Sequence, residues 1–181
     1  MKTQNMKIHV FDTNIFLTGM DFNLIEGVIY TTPSVIEEID VERYKEKNRN
    51  TLNKIFIAKE NRKLMVRVPS NEFLDIVQKN AHRSGDIKAL SKTDKEVIAL
   101  TLELQETFHK QVILYTNDYS MENACMEMGI PFSPLYLKGI TSKIYWEVYC
   151  PFCNEIHDVS QYNEPCEKCG LRLKRRATNK K

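Results

Sequence analysis

The sequence predicts an α/β protein in which a parallel β-sheet flanked by helices is followed by a small C-terminal unit held by cysteines. Three observations carry this. Short apolar runs of strand length alternate with longer segments of helical period. Acidic residues stand just past several of those runs, at the strand ends where open α/β sheets bind ligands. Four of the five cysteines form two C-x2-C pairs near the C-terminus.

The 181 residues suffice for one substantial domain and a small one. Lys and Arg total 26 against 24 Asp and Glu, a near balance that suits a protein in water. No run approaches the ~18 apolar residues of a membrane span. Met1 to Asn5 lacks the apolar core of a secretion signal, so the expected location is intracellular and cytoplasmic, with no membrane partner. The charge is uneven: residues 141–181 carry +3 and residues 1–140 carry −1. Lys174, Arg175, Arg176, Lys180 and Lys181 are basic, and the last eight residues hold no acid. Such a tail is either a solvated terminus or a contact for nucleic-acid phosphates.

Lys7 to Phe11 reads as the first strand, and it stops at Asp12-Thr13-Asn14. Ile15 to Ile25 reads as a broken helix and Gly27 to Thr31 as a second strand. Pro33 then suits the first turn of a helix, with Thr32 as its N-cap. The charged stretch Val41–Lys63 predicts one or two helices arranged as a hairpin. Leu64 to Val68 is the next strand, and Pro69-Ser70 opens a helix to about Ala81. His82 to Asp86 marks a turn. Thr93-Asp94-Lys95-Glu96 has the spacing of a capping box. The helix it starts runs through Val97, Ile98, Leu100, Leu104 and Phe108 at a period close to 3.6. Val112 to Tyr115 is a buried strand that ends at Thr116-Asn117-Asp118. A short helix through Ala124 and Met128 follows, with Cys125 packed inside it. The expected units are residues 1–140, residues 143–176 and a basic, disordered tail at 177–181.

Asp12 and Asp118 therefore lie just past two strands, Asp94 at the start of a helix, and Glu37 or Glu38 in the first turns of another. Each has an ordinary role open to it, as a helix cap, a turn residue or part of a solvated face. If the strand ends gather, the acids share one pocket, where their mutual repulsion calls for a cation. Hard carboxylate oxygens suit Mg²⁺ or Mn²⁺, which can support phosphodiester hydrolysis by activating water and holding the leaving oxygen.

Cys150 and Cys153 are followed after 12 residues by Cys166 and Cys169. Two such knuckles form a closed tetrahedral site, which makes structural Zn²⁺ the expected ion and a rubredoxin-like iron site the alternative. His157 is expected to be a surface or ribbon residue and not a ligand. Tyr145, Trp146, Tyr149, Phe152 and Tyr162 either stack bases or build the small core around the metal.

Four segments resemble the PIN-domain nucleases: Val10 to Asn14; Pro33 to Ile39; Leu90 to Asp94 with Val97-Ile98-Ala99-Leu100; and Leu114 to Asp118. The resemblance implies that Asp12, Glu38, Asp94 and Asp118 are metal-binding catalytic acids. Glu38 is preferred to Glu37 because it directly precedes the aliphatic Ile39. It also implies that Asn14 and Thr116 support the acids by hydrogen bonding. The PIN segments with a ribbon behind them, and Ser84-Gly85-Asp86 ahead of Leu90, resemble the archaeal Nob-type ribosome-assembly endonucleases. Tyr119 to Asn123 departs from that pattern, in which Gln more often precedes Asn. The resemblance implies metal-dependent cleavage at the 3′ end of the small-subunit rRNA precursor on a pre-ribosomal particle, with other assembly factors as possible partners. Lys174, Arg175 and Arg176 would contact RNA. The rivals are a non-catalytic RNA-binding assembly factor and a toxin-like PIN ribonuclease acting on other RNA.

Overall fold

The computed structural model describes residues 7–84, 89–108, 112–135 and 144–178. The elements of the larger part are β1 (Ile8–Phe11), α1 (Thr13–Leu17), β2 (Val28–Thr31), α2 (Pro33–Ile39), α3 (Lys45–Glu60), β3 (Leu64–Val66), α4 (Asn71–Ser84), α5 (Lys92–Phe108), β4 (Val112–Tyr115), α6 (Tyr119–Met128) and β5 (Phe132–Ser133). The smaller part holds β6 (Tyr145–Tyr149), β7 (Ile156–His157) and β8 (Lys174–Thr178).

β1 to β5 form one parallel sheet in the order β3-β2-β1-β4-β5. β1 is central and buried along its whole length, as a parallel strand covered on both faces must be. β2 and β4 alternate buried and half-buried residues. Phe11, Ile29 and Leu114 of the sheet meet Ile98, Leu100 and Leu104 of α5 in a single apolar core, which also encloses Cys125. Gly27 has φ +101° ahead of β2, and a Cβ there would stand 2.3 Å from the Lys7 carbonyl oxygen. Only glycine lets the chain pass so close to β1.

The second sheet is antiparallel in the order β7-β6-β8, its small core made by Val148, Leu173, Cys150 and Cys166.

Several expectations are corrected. Val41 to Lys63 forms one helix, α3, after a 3-10 turn at Glu42–Tyr44, not a helical hairpin. The Asn48 amide on α3 donates to the Ile39 carbonyl at 2.8 Å, which satisfies the end of α2 and ties the two helices. α4 continues through Ser84, so His82 to Ser84 lie in helix where a turn was expected; Gly85 and Asp86 fall outside the described residues. Phe132–Ser133 adds a fifth strand that the sequence reading missed. Ala177 and Thr178, expected in a disordered tail, belong to β8, where the β6 ladder satisfies their backbone; residues 179–181 fall outside the described residues.

Candidate active site

The strand order changes direction between β1 and β4, and in a sheet wound this way the ligand crevice opens past the carboxyl ends of those two strands. Asp12 follows β1, and Thr116, Asn117 and Asp118 follow β4. The backbone joins them, the Asp12 amide donating to the Tyr115 carbonyl at 3.3 Å.

Asp12 is both a cap and a buried acid. Its Oδ1 accepts from the Ile15 amide at 2.9 Å and so caps α1. Its Oδ2 accepts from the Thr116 hydroxyl at 2.6 Å, and only 4% of the residue is exposed. Thr116 Oγ1 in turn accepts from the Asp118 amide at 3.1 Å, so one hydroxyl spans both strand ends. Asp118 caps α6 through Oδ1, accepting from the Ser120 and Met121 amides at 2.6 and 3.3 Å. Asp94 is the third residue of α5. Its Oδ2 accepts from the Ser91 amide at 2.8 Å, while the Ser91 hydroxyl accepts from the Asp94 amide at 3.1 Å. The capping box is therefore Ser91 with Asp94 and not Thr93 with Glu96, because α5 begins at Lys92 and Thr93 is already inside its first turn. Glu38 is exposed on α2, and its Oε2 accepts from the Thr13 hydroxyl at 2.5 Å.

Asp12 and Asp94 both feel neighbouring acids. Burial raises the Asp12 carboxyl to about 6, against the stabilising hydrogen bonds from Thr116 and Ile15 and with further upward pushes from Asp94 and Asp118. Asp94 is also raised, first by burial, and then by the charges of Asp118 and Glu38 in opposition to its bonds with Ser91. The largest charge effects on this pair thus come from acids. Glu38, Asp94 and Asp118 are each anchored through one oxygen, and among the described residues their second oxygens make no hydrogen bond. Asp12 and Asp94, raised by burial, together with the unengaged oxygens of Glu38, Asp94 and Asp118 make a donor set that a hard divalent cation fits.

Not every expected residue converges. The Asn14 side chain is exposed and hydrogen-bonds none of the acids among the described residues; its neighbour Thr13 reaches Glu38 instead. An Asn three places past the strand end faces out of the first turn of α1. Thr13 and Ser91 are the positioning residues that sequence reasoning missed. The signal for Ser91 was present, since Ser91-x-x-Asp94 is itself a capping-box spacing that overlaps the one expected.

The four cysteine sulfurs lie within 4.8 Å of one another. Cys150 and Cys169 are 3.3 Å apart, Cys153 and Cys166 3.7 Å, and Cys153 and Cys169 4.0 Å. Tetrahedral bonds of ~2.3 Å would separate sulfurs by about 3.8 Å, so the cluster fits a metal with four thiolate ligands. None of the cysteines forms a disulfide. Burial works against ionisation of Cys150, yet backbone N–H groups of Cys153 and Phe152 bring its thiol down to about 6. His157 Nε2 lies 3.6 Å from Cys166 Sγ, beside the cluster.

Of the basic residues expected to meet RNA, Arg175 lies 4.1 Å over the Trp146 ring and 5.4 Å from that of Tyr162. Arg176 pairs with Glu147 at 2.6 Å and lies 4.6 Å over Tyr149, and Lys174 is exposed. Tyr162 packs against the cysteine core, whereas Phe152 is 72% exposed.

Residues 9–104 match the family described as the PIN domain of ribonuclease, a span that includes Asp12, Glu38 and Asp94. The chain is 30% identical to an "Endoribonuclease Nob1" of Methanocaldococcus jannaschii over 94% of its own length and 78% of that protein's. It is 32% identical to an "Endoribonuclease Nob1" of Pyrococcus abyssi over 91% of each chain. A "Ribonuclease VapC1" of Thermoplasma acidophilum is 31% identical over 96% of this chain and 80% of its own. The matches over 94% and 96% of this chain extend into the segment that holds its four cysteines. The chain belongs to the PIN-domain ribonucleases, as an endoribonuclease of the archaeal Nob1 type.

Proposed function

We propose that the protein is a divalent-metal-dependent endoribonuclease that matures the 3′ end of the small-subunit rRNA precursor within a pre-ribosomal particle in the cytoplasm. The observation that carries the nuclease site is the gathering of buried Asp12 with Asp118 at the point where the strand order reverses, with Asp94 acting on Asp12 and Glu38 on Asp94. The rRNA substrate rests on the Nob1-named relatives.

Asp12, Glu38, Asp94 and Asp118 would hold the catalytic cation, Mg²⁺ or Mn²⁺. Bound there, it would neutralise charge on the phosphodiester and make water a better nucleophile. The Thr116 hydroxyl fixes Asp12 and braces the loop of Asp118. Ser91 and Thr13 do the same for Asp94 and Glu38, so the acids keep their directions before RNA arrives. Cys150, Cys153, Cys166 and Cys169 would hold Zn²⁺, which would tie β6, β7 and β8 into one unit. Its ring-backed Arg175 and Arg176, with Lys174, would face RNA.

A second reading is cleavage of other RNA, which the 31% identical VapC1-named relative favours. The test is cleavage of an RNA spanning the mature 3′ end beside a tRNA, with Mg²⁺ or Mn²⁺ added or withheld. The proposal expects one metal-dependent cut in the first RNA, absent in Asp12→Asn and Asp94→Asn. Preference for tRNA would replace the substrate assignment, and full activity in both variants would remove the site.

A further inference from the structure

A cleft of about 570 Å³ adjoins the acids, lined by Asn117, Asp118, Tyr119, Ser120, Ile144, Trp146 and Arg175. One wall is the strand end after β4 and the first turn of α6; the other is the ribbon, through β6 and β8. The walls are tied by Asn123, a buried residue of α6. Its amide donates to the Ile144 carbonyl at 2.8 Å and accepts from the Ile144 amide at 2.7 Å, as a neighbouring strand would.

We propose that this cleft seats one unpaired nucleotide of the RNA strand immediately beside the bond that is cut. This rests on the nuclease reading and deepens it. Tyr119 is 57% exposed on the α6 wall. Opposite it the Arg175 guanidinium lies 4.1 Å over the Trp146 ring, a flat cationic surface already backed by an aromatic. Unpaired bases stack on aromatic rings and on guanidinium planes, and the guanidinium charge suits a flanking phosphate. A cleft of this size is in the range that accepts one small ligand. Asp118 lines the cleft and also couples to Asp12 and Asp94, so a nucleotide held here places the adjoining phosphodiester at the acids.

The test uses the full-length Asp94→Asn protein, with no added divalent ion and no chelator, so that the ribbon keeps its metal. Short single-stranded oligoribonucleotides that contain the bond cut by the wild-type enzyme carry 2-aminopurine at one position at a time. Stacking should quench the fluorescence at a position next to that bond. Adding Tyr119→Ala should abolish this quench and weaken binding roughly 5- to 150-fold. Tyr119→Phe should restore both, because stacking uses the ring and not the hydroxyl. Absence of quenching at every position, or quenching that survives Tyr119→Ala, would overturn the seat even if the wild-type enzyme cleaves. Tyr119-dependent quenching of an RNA chosen by the same sequence, with no cleavage by the wild type, would support the seat and count against the nuclease reading.

Discussion

Asp12 stabilises α1 as a cap and at the same time keeps a carboxylate in a nearly dry site. With its pKa near 6 against an ordinary value of 3.8, the folded chain holds this proton more tightly than the unfolded chain. The stabilisation is therefore intact below about pH 4 and is lost as pH rises through 6, an effect on the order of 3 kcal/mol. Asp12→Asn should accordingly make the protein without added divalent ion more heat-stable near neutral pH and no more stable near pH 4. Thermal melts of the two proteins across that range check this, and parallel curves would contradict it. The same substitution should lower cleavage at least ~100-fold, since a fixed charge at the reacting centre is lost. A cation that binds Asp12 displaces its proton, so cation affinity should climb with pH through about 6. Titrations with Mn²⁺ at several pH values measure that slope. Thr116→Val leaves the acid in place and removes its brace, and cleavage should fall ~10- to 100-fold with RNA binding retained.

At the scale of the element, the start of α5 decides where Asp94 points. Ser91→Ala should cost about 1 kcal/mol of stability and lower activity, whereas Thr93→Ala should do little to either. Melting and cleavage of the two variants side by side separate Ser91 from Thr93 as the cap. The alternation of strands and helices, the order of the acids and the paired cysteines could all be read in the sequence, because burial, strand-end chemistry and metal ligation leave marks on residue type. The α5 cap was misplaced because two Ser/Thr-x-x-acid spacings overlap, and only the reciprocal bonds between Ser91 and Asp94 show which one begins the helix. β5 has two residues, too few for any period. β8 reads Lys-Arg-Arg-Ala-Thr, with no apolar alternation, because its position is set by a five-residue ladder with β6 and by guanidinium–ring stacking. Asn14 and Thr13 are adjacent in sequence, but the turn into α1 sends one hydroxyl to Glu38 and leaves the amide in solvent.

At the scale of the molecule, two folding regimes coexist. The five-stranded sheet encloses a continuous apolar core, while the ribbon has little beyond Val148, Leu173 and its cysteines. A metal held by the four thiolates would supply much of the ribbon's stability. Chelation, or Cys166→Ser, should release the ribbon and leave the helical content of the larger part largely unchanged. Trp146 is the only tryptophan in the chain and sits in the ribbon under Arg175, so its emission should shift to the red as the metal leaves. A metal-free protein with unaltered tryptophan emission and circular dichroism would show that the thiolates do not need the ion.

Helix α6 fastens the ribbon with Asn123 and begins at the cap formed by Asp118, five residues earlier. Five residues advance about 7.5 Å along a helix and turn it through about 500°. Both ends of this short ruler are tied to something that does not move with it, Asp118 to the sheet through Thr116 and Asn123 to the Ile144 backbone. One residue inserted between them would swing Asn123 by about 100° away from Ile144, or swing Asp118 away from Thr116. The five-residue spacing is thus a fixed length of this enzyme: substitutions can accumulate within it, but a single insertion or deletion would sacrifice either the acid or the docking of the ribbon.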